Sequence, residues 1–130
     1  MIVVDASALL EVLLRTLRGQ SIESRFFNGS EVLHAPELLD VEVVQVIRRF
    51  LLAGEIDQDR AQSAIDDLMS LSIRRHSHAL LLPRVWALRA NVTAYDAVYV
   101  ALAEVLEARL LTHDGRLATA ARRHVKVELV

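Results

Sequence analysis

The sequence contains no cysteine. It therefore forms no disulfide and offers no thiolate to a metal, so any metal must be held by oxygen or imidazole. That absence fits a reducing compartment, and a cytoplasmic location is expected. No apolar segment approaches the roughly 18 uninterrupted residues that a membrane span needs, because charges recur throughout, and no membrane partner is expected. The opening stretch MIVVDAS has no basic leader and meets an acid after three apolar residues, which argues against a secretory signal. Aromatic residues make up only 5% of a chain whose hydrophobic fraction is 53%, so the apolar content comes from Ala, Val and Leu. Lysine is almost missing: of the 15 basic residues, 14 are arginines.

A length of 130 residues suits one compact domain, read as spanning residues 1–130. The formal net charge of −2 is a weak argument against a nucleic-acid partner, but a sum conceals its distribution. Arginines recur in pairs, at Arg48 and Arg49, Arg74 and Arg75, and Arg122 and Arg123. The planar guanidinium fork suits phosphate, while solvated helix faces account for such pairs equally well.

Strand and helix signals alternate along the chain. MIVV is a β-branched run, and ASALLEVLL continues it at helical spacing. A short helix is expected near residues 19–27 and a strand at EVLHA, after which Pro36 takes the first turn of a helix running to Ala53 and closed by Gly54. A helix over 57–71, a weak strand at LSIRRHS and a helix over 78–89 follow. Thr93 caps a long helix to about Ala108, RLLT is a strand, residues 115–123 are helical, and VKVELV is a last strand. Such alternation implies an α/β fold with a mostly parallel sheet covered on both faces.

Ligands of such sheets bind beyond the carboxyl ends of the strands, which draws attention to four acids. Asp5 directly follows IVV and Asp114 lies two residues beyond LLT, although either could simply cap its helix. Glu42 shares a helix face with Leu38, Leu39 and Val46, where a lone buried carboxylate costs several kcal/mol unless paired, neutralised or bound to a metal. Asp96 stands three residues after Thr93, in a spacing like a capping box, but it opens a helix that is apolar almost all round. Four acids meeting at one sheet edge would repel strongly, and a divalent cation would relieve that repulsion. With no cysteine, and no histidine at ligand spacing, the donor set selects a hard ion, Mg²⁺ or Mn²⁺. Ser7 and Thr112 flank the same strand ends and could orient a carboxylate. His113, beside Asp114, is read as a loop histidine.

The segments VVDASALLEVLL, PELLDVEVVQVIRR, TAYDAVYVALAE and LLTHDGRLATAA resemble, in order and in spacing, those of PIN-domain ribonucleases, in particular the toxins of VapBC toxin-antitoxin modules. The resemblance implies a three-layer α/β/α sandwich in which Asp5, Glu42, Asp96 and Asp114 are catalytic acids that bind metal. It places Ser7 and Thr112 at the family's polar positions in the same pocket. It further implies a homodimer mate and a VapB-type antitoxin. Some relatives carry another acid shortly after the fourth; here Arg116 and Leu117 stand instead, which bears on a second metal site.

The expected activity is Mg²⁺-dependent hydrolysis of RNA by metal-activated water, as the toxin of a type II module. Two alternatives differ in kind. A phosphoryl-accepting α/β domain also places an aspartate after its first strand, but it wants a second acid nearby and a lysine from a late strand end, whereas here position 7 is Ser and Lys126 is the sole lysine. The other is a PIN-like binding module without catalysis.

Overall fold

The computed structural model describes residues 1–27 and 31–130. The described elements are β1 (Ile2–Val4), α1 (Ala6–Leu13), α2 (Leu17–Phe27), β2 (Leu33–Pro36), α3 (Leu38–Leu52), α4 (Gln58–Ser70), β3 (Ile73–His76), a 3₁₀ turn (Ala79–Leu81), α5 (Leu82–Ala87), α6 (Ala94–Leu106), β4 (Arg109–Thr112), α7 (Gly115–Ala121) and β5 (Val127–Leu129). The sheet runs in the order β3-β2-β1-β4-β5, and every pairing is parallel.

The strands are short because the central ones are buried on both faces and need only a few β-branched or leucyl residues to be covered. Ile2, Val3, Val4, Leu110 and Leu111 are all buried at the centre of the sheet. Helical crossovers carry the chain outward from β1 through β2 to β3, then back past β1 to β4 and β5. Helices α1 to α4 pack on one another, α1 and α3 meeting directly, while α5 packs on α6. Helix α6 lies across β1, β2 and β4, and its residues Ala97 to Ala103 are buried without exception. That burial explains its composition: every side of the helix faces protein.

The chain leaves β1 toward β2 and leaves β4 toward β5, so a switch point falls between these two neighbours. Ligand crevices of open α/β sheets form at such points, beyond the strands' carboxyl ends.

Several boundaries differ from those the sequence suggests. Pro36 ends β2, opposite His76, instead of opening α3. The Glu37 N–H bonds to the His76 carbonyl on β3, so the missing proline N–H faces β1, whose register with β2 has already ended at Val3 and His34. Helix α2 starts at Leu17, two residues early, because the Thr16 hydroxyl caps it through the Gly19 N–H at 2.9 Å. The expected helix over 78–89 divides into the 3₁₀ turn and α5, with Pro83 in the first turn. Helix α6 stops at Leu106 because Glu107 turns left-handed, at φ 51°.

Gly19 marks a close approach between α1 and α2. A Cβ there would stand 1.9 Å from the Glu11 carbonyl oxygen. Only glycine fits.

Candidate active site

Asp5 is the first residue after β1 and the N-cap of α1, where its Oδ1 accepts the Ala8 N–H at 2.9 Å. It is 5% exposed, and both oxygens are engaged. The Thr112 hydroxyl donates to Oδ2 at 2.5 Å, and the Ser7 hydroxyl lies 2.8 and 2.9 Å from the two oxygens. The same hydroxyls receive backbone protons. Ser7 Oγ accepts the His113 N–H at 2.8 Å, and Thr112 Oγ1 accepts that of Asp114 at 3.0 Å. The ends of β1 and β4 are thus stitched together through one carboxylate.

Asp114 caps α7, its Oδ1 accepting from Arg116 N at 2.8 Å and Leu117 N at 3.3 Å. Capping and a place in the pocket are not rivals for Asp5 and Asp114: the same side chains do both. Glu42 projects from α3 and its Oε1 accepts a 2.6 Å hydrogen bond from the Tyr99 hydroxyl of α6. Asp96 occupies the first turn of α6. Thr93 Oγ1 accepts its backbone N–H at 3.2 Å, but the reciprocal half of a capping box is not formed, and the Asp96 carboxylate has no hydrogen-bond partner among the described residues.

These four acids line one hollow of about 520 Å³ at the carboxyl edge of the sheet, together with Ser7, Tyr99 and Arg49. Its outer wall is apolar, with Leu38, Val41, Val46 and Tyr95 around it. Among the described residues, no three acids or histidines are drawn into a closed cation cage. The hydrogen bonds explain this: Asp5 is turned to its hydroxyls, Asp114 Oδ1 to its helix and Glu42 Oε1 to Tyr99.

The electrostatics record the crowding. Burial pushes the Asp5 carboxyl above its ordinary range, against the bonds from Thr112, Ala8 and Ser7, and the charge of Asp114 adds to the rise. Burial likewise raises Glu42, the Tyr99 bond opposes it, and the charges of Asp96 and Asp5 reinforce it. Asp96 is raised by burial and then by Asp114, with Arg116 pulling the other way. Tyr99 is itself pushed far up by burial and by Glu42, so its hydroxyl stays a donor.

The donor chemistry fits a hard divalent ion. The hollow contains carboxylate and hydroxyl oxygens, one unpartnered carboxylate, and three acids biased toward their protonated forms by burial and by the charge of neighbouring acids. His113 points elsewhere: its Nδ1 is 2.5 Å from the Val130 carbonyl oxygen and its Nε2 is 3.1 Å from Arg18.

Tyr99 and Arg49 were not singled out from sequence as parts of this pocket. A tyrosine inside AVYVALAE reads as core, and only its spacing of three from Asp96, which puts both on one helix face, could have pointed to the hollow. The arginine pairs split on folding. Both Arg48 and Arg49 are exposed, but only Arg49 lines the hollow, and Arg75 makes a two-pronged ion pair with Asp40 at 2.7 and 3.0 Å. Asp40 is half-buried in that pair.

Residues 2–123 match the PIN domain family. The chain belongs to that family. It is 42% identical over 132 residues to Ribonuclease VapC1 of Mycobacterium tuberculosis, covering 98% of this chain and 96% of that protein. Among solved structures, PAE2754 from Pyrobaculum aerophilum superposes with a TM-score of 0.72 at 21% identity, covering 97% of this chain and 87% of the other. VapBC2 from Rickettsia felis, bound to a DNA fragment from its promoter, gives 0.70 at 12% identity, covering 99% and 98%. Both share the fold, an all-parallel five-stranded PIN sheet in this chain.

Proposed function

We propose that this PIN domain is a divalent-metal-dependent endoribonuclease that hydrolyses RNA phosphodiesters and serves as the toxin of a type II toxin-antitoxin module. One observation carries the reading: four acids, two just beyond the ends of β1 and β4 and two on α3 and α6, line a single hollow at the sheet's switch point. The 42% identity to a protein named as a ribonuclease supports it.

Asp5, Glu42, Asp96 and Asp114 would hold the ion, with Mg²⁺ the expected metal and Mn²⁺ its substitute. A divalent ion bound there supplies a water of lowered pKa and offsets charge on the reacting phosphate. The protein's own part is preorganisation. Ser7, Thr112 and the Ala8 N–H fix the orientation of Asp5, and Tyr99 fixes that of Glu42. Asp96, free of such bonds, is the carboxylate able to turn toward a ligand or take up a proton. Arg49 on the wall offers a cation to the RNA backbone, a contact that positions the strand without reading its sequence. The partners carried with this reading are a VapB-type antitoxin and a second copy of the chain, in the cytoplasm. Among the described residues no helix is long and apolar enough to cross a membrane.

The alternative of a phosphoryl acceptor fares worse. Lys126 lies with Glu104, Ala108 and Arg109 around the opposite edge of the sheet, away from Asp5. Incubating the purified chain with RNA in Mg²⁺ or in EDTA, beside Asp96→Asn, tests the proposal. Cleavage is expected only for wild type with Mg²⁺. Equal cleavage in all three reactions would overturn it, and a folded wild type with no cleavage would favour a binding module.

A further inference from the structure

A second hollow of about 430 Å³ adjoins the first and is lined by Asn91, Gly115, Arg116, Thr119, Ala120 and Arg123. The two meet at consecutive residues, since Asp114 lines one and Gly115 and Arg116 the other. Their chemistry is opposite: the first gathers carboxylates, while the second has no acid in its lining and has two guanidinium groups, an amide and a hydroxyl.

The arginines here differ from most others in the chain. Arg25, Arg75, Arg84 and Arg109 hold carboxylates, and Arg60 and Arg89 bond to backbone carbonyls. The side chains of Arg116 and Arg123 make no hydrogen bond or ion pair among the described residues, although both are exposed where a partner could be reached. Residues 116, 119 and 120 share one face of α7, and Arg123 follows just past the helix end, so the lining leads away from the acids. Arg116 also acts on the acidic hollow itself, where its charge lowers the pKa of Asp96.

We infer that this groove is a subsite for the RNA backbone, in which Arg116 and Arg123, with Asn91 and Thr119, hold a phosphate of a nucleotide flanking the one that is cut. The inference rests on the ribonuclease reading and extends it, because it assigns the strand a path out of the acidic hollow along α7. A phosphodiester is the group that this lining recognises: charge from two planar forks, with the neutral amide of Asn91 and hydroxyl of Thr119 between them. Contacts of this kind set the register of the strand without choosing its sequence.

The test uses the full chain in an Asp96→Asn background with Mg²⁺, so that a short unstructured fluorescent RNA is bound but not cut. Dissociation constants are measured between about 50 and 200 mM salt. Adding Arg123→Ala is expected to weaken binding about tenfold, the loss of one charged contact, and to flatten the salt dependence by about 0.7 in logarithmic slope. Arg123→Lys should keep the slope while recovering only part of the affinity. The neighbouring Arg122→Ala, exposed and outside the groove, should change neither. Equal effects of Arg122→Ala and Arg123→Ala overturn the subsite while leaving the nuclease untouched. Failure of the wild-type chain to cut RNA with Mg²⁺, run in parallel, overturns the ribonuclease reading and the subsite with it.

Discussion

Tyr99 reaches Glu42 with one oxygen, and Tyr99→Phe removes that oxygen while keeping the ring packed in α6. The hydrogen bond lowers the pKa of Glu42, so its loss lets burial raise that carboxyl further. The acid limb of the pH-rate profile should move to higher pH, and cleavage at neutral pH should fall about tenfold, the worth of a hydrogen bond to a charged group. An unmoved limb would show that Glu42 needs no help from the tyrosine. Asp96→Asn tests the crowding itself. Asp5, Glu42 and Asp96 all have raised values, so the folded chain binds these protons more tightly than the unfolded one. Their stabilising contribution is complete below the ordinary carboxylate pKa and is lost as pH rises through the raised values. At neutral pH in chelator they therefore oppose folding, and Asp96→Asn should raise the melting temperature by roughly 2–4 °C. Mg²⁺ should stabilise wild type and have little effect on the variant, because a ligand stabilises only the fold that binds it. Thermal melts with and without Mg²⁺ check both halves.

His34 on β2 gives a pH effect of the opposite sign. It is 4% exposed, its Nδ1 is 2.8 Å from His76 Nε2, and its Nε2 is buried without a partner among the described residues. Burial lowers its pKa, and the charges of His76 and Arg74 add to that. A lowered base contributes stability above its unfolded pKa, near 6.5, and that contribution is lost as pH falls through the folded value. Urea midpoints should thus fall between neutral pH and about pH 5.5, and His34→Leu should flatten that part of the curve.

At the scale of elements, α1 and α2 illustrate a contact that propensity does not predict. Gly19→Ala would improve helix propensity by about 1 kcal/mol and still destabilise the chain, because the new methyl collides with the Glu11 backbone. Net destabilisation of about 1–3 kcal/mol is expected in a denaturant titration. Much of the element order is written in the sequence, since buried parallel strands such as IVV and RLLT are short apolar runs beside amphipathic helices. The places where the reading went astray have tertiary causes. Pro36 is tolerated in β2 because its strand neighbour ends early, and α2 begins early because Thr16 reaches a glycine lodged against α1. The four acids were legible for a different reason: Asp5 and Asp114 follow strand signals at the carboxyl edge of a parallel sheet, and Glu42 and Asp96 stand among apolar helix neighbours. Tyr99 was hidden because its apolar ring satisfies the core and only its hydroxyl belongs to the pocket. In the groove beside it, Arg123 was noticed only as one of a pair with Arg122, and Arg116 looks like any exposed arginine until the fold places both near Asp114.

Taken as a whole, the molecule is organised around α6, which fills the space over β1, β2 and β4 and delivers Asp96 and Tyr99 to the carboxyl edge of the sheet. Its opposite end lies against β4 and the Lys126 edge, remote from the acids. The three raised carboxylates also couple metal uptake to pH, since protons must leave before an ion is held. Cleavage should decline on acidification at a higher pH than unperturbed carboxylates would allow. Added Mg²⁺ should shift that decline to lower pH, which rate measurements across a pH series at several Mg²⁺ concentrations would detect.

The pairing of β1 with β4 joins Val4 to Leu111, and Thr112 then binds Asp5 across a separation of 107 positions. During synthesis β1 can pair with β2 early but must wait for β4, which is made only after α6. A chain interrupted before residue 109 has three of its acids but no strand to close the pocket. A copy that stops short of β4 should thus leave RNA intact, and the hazard should begin only once that strand has been made.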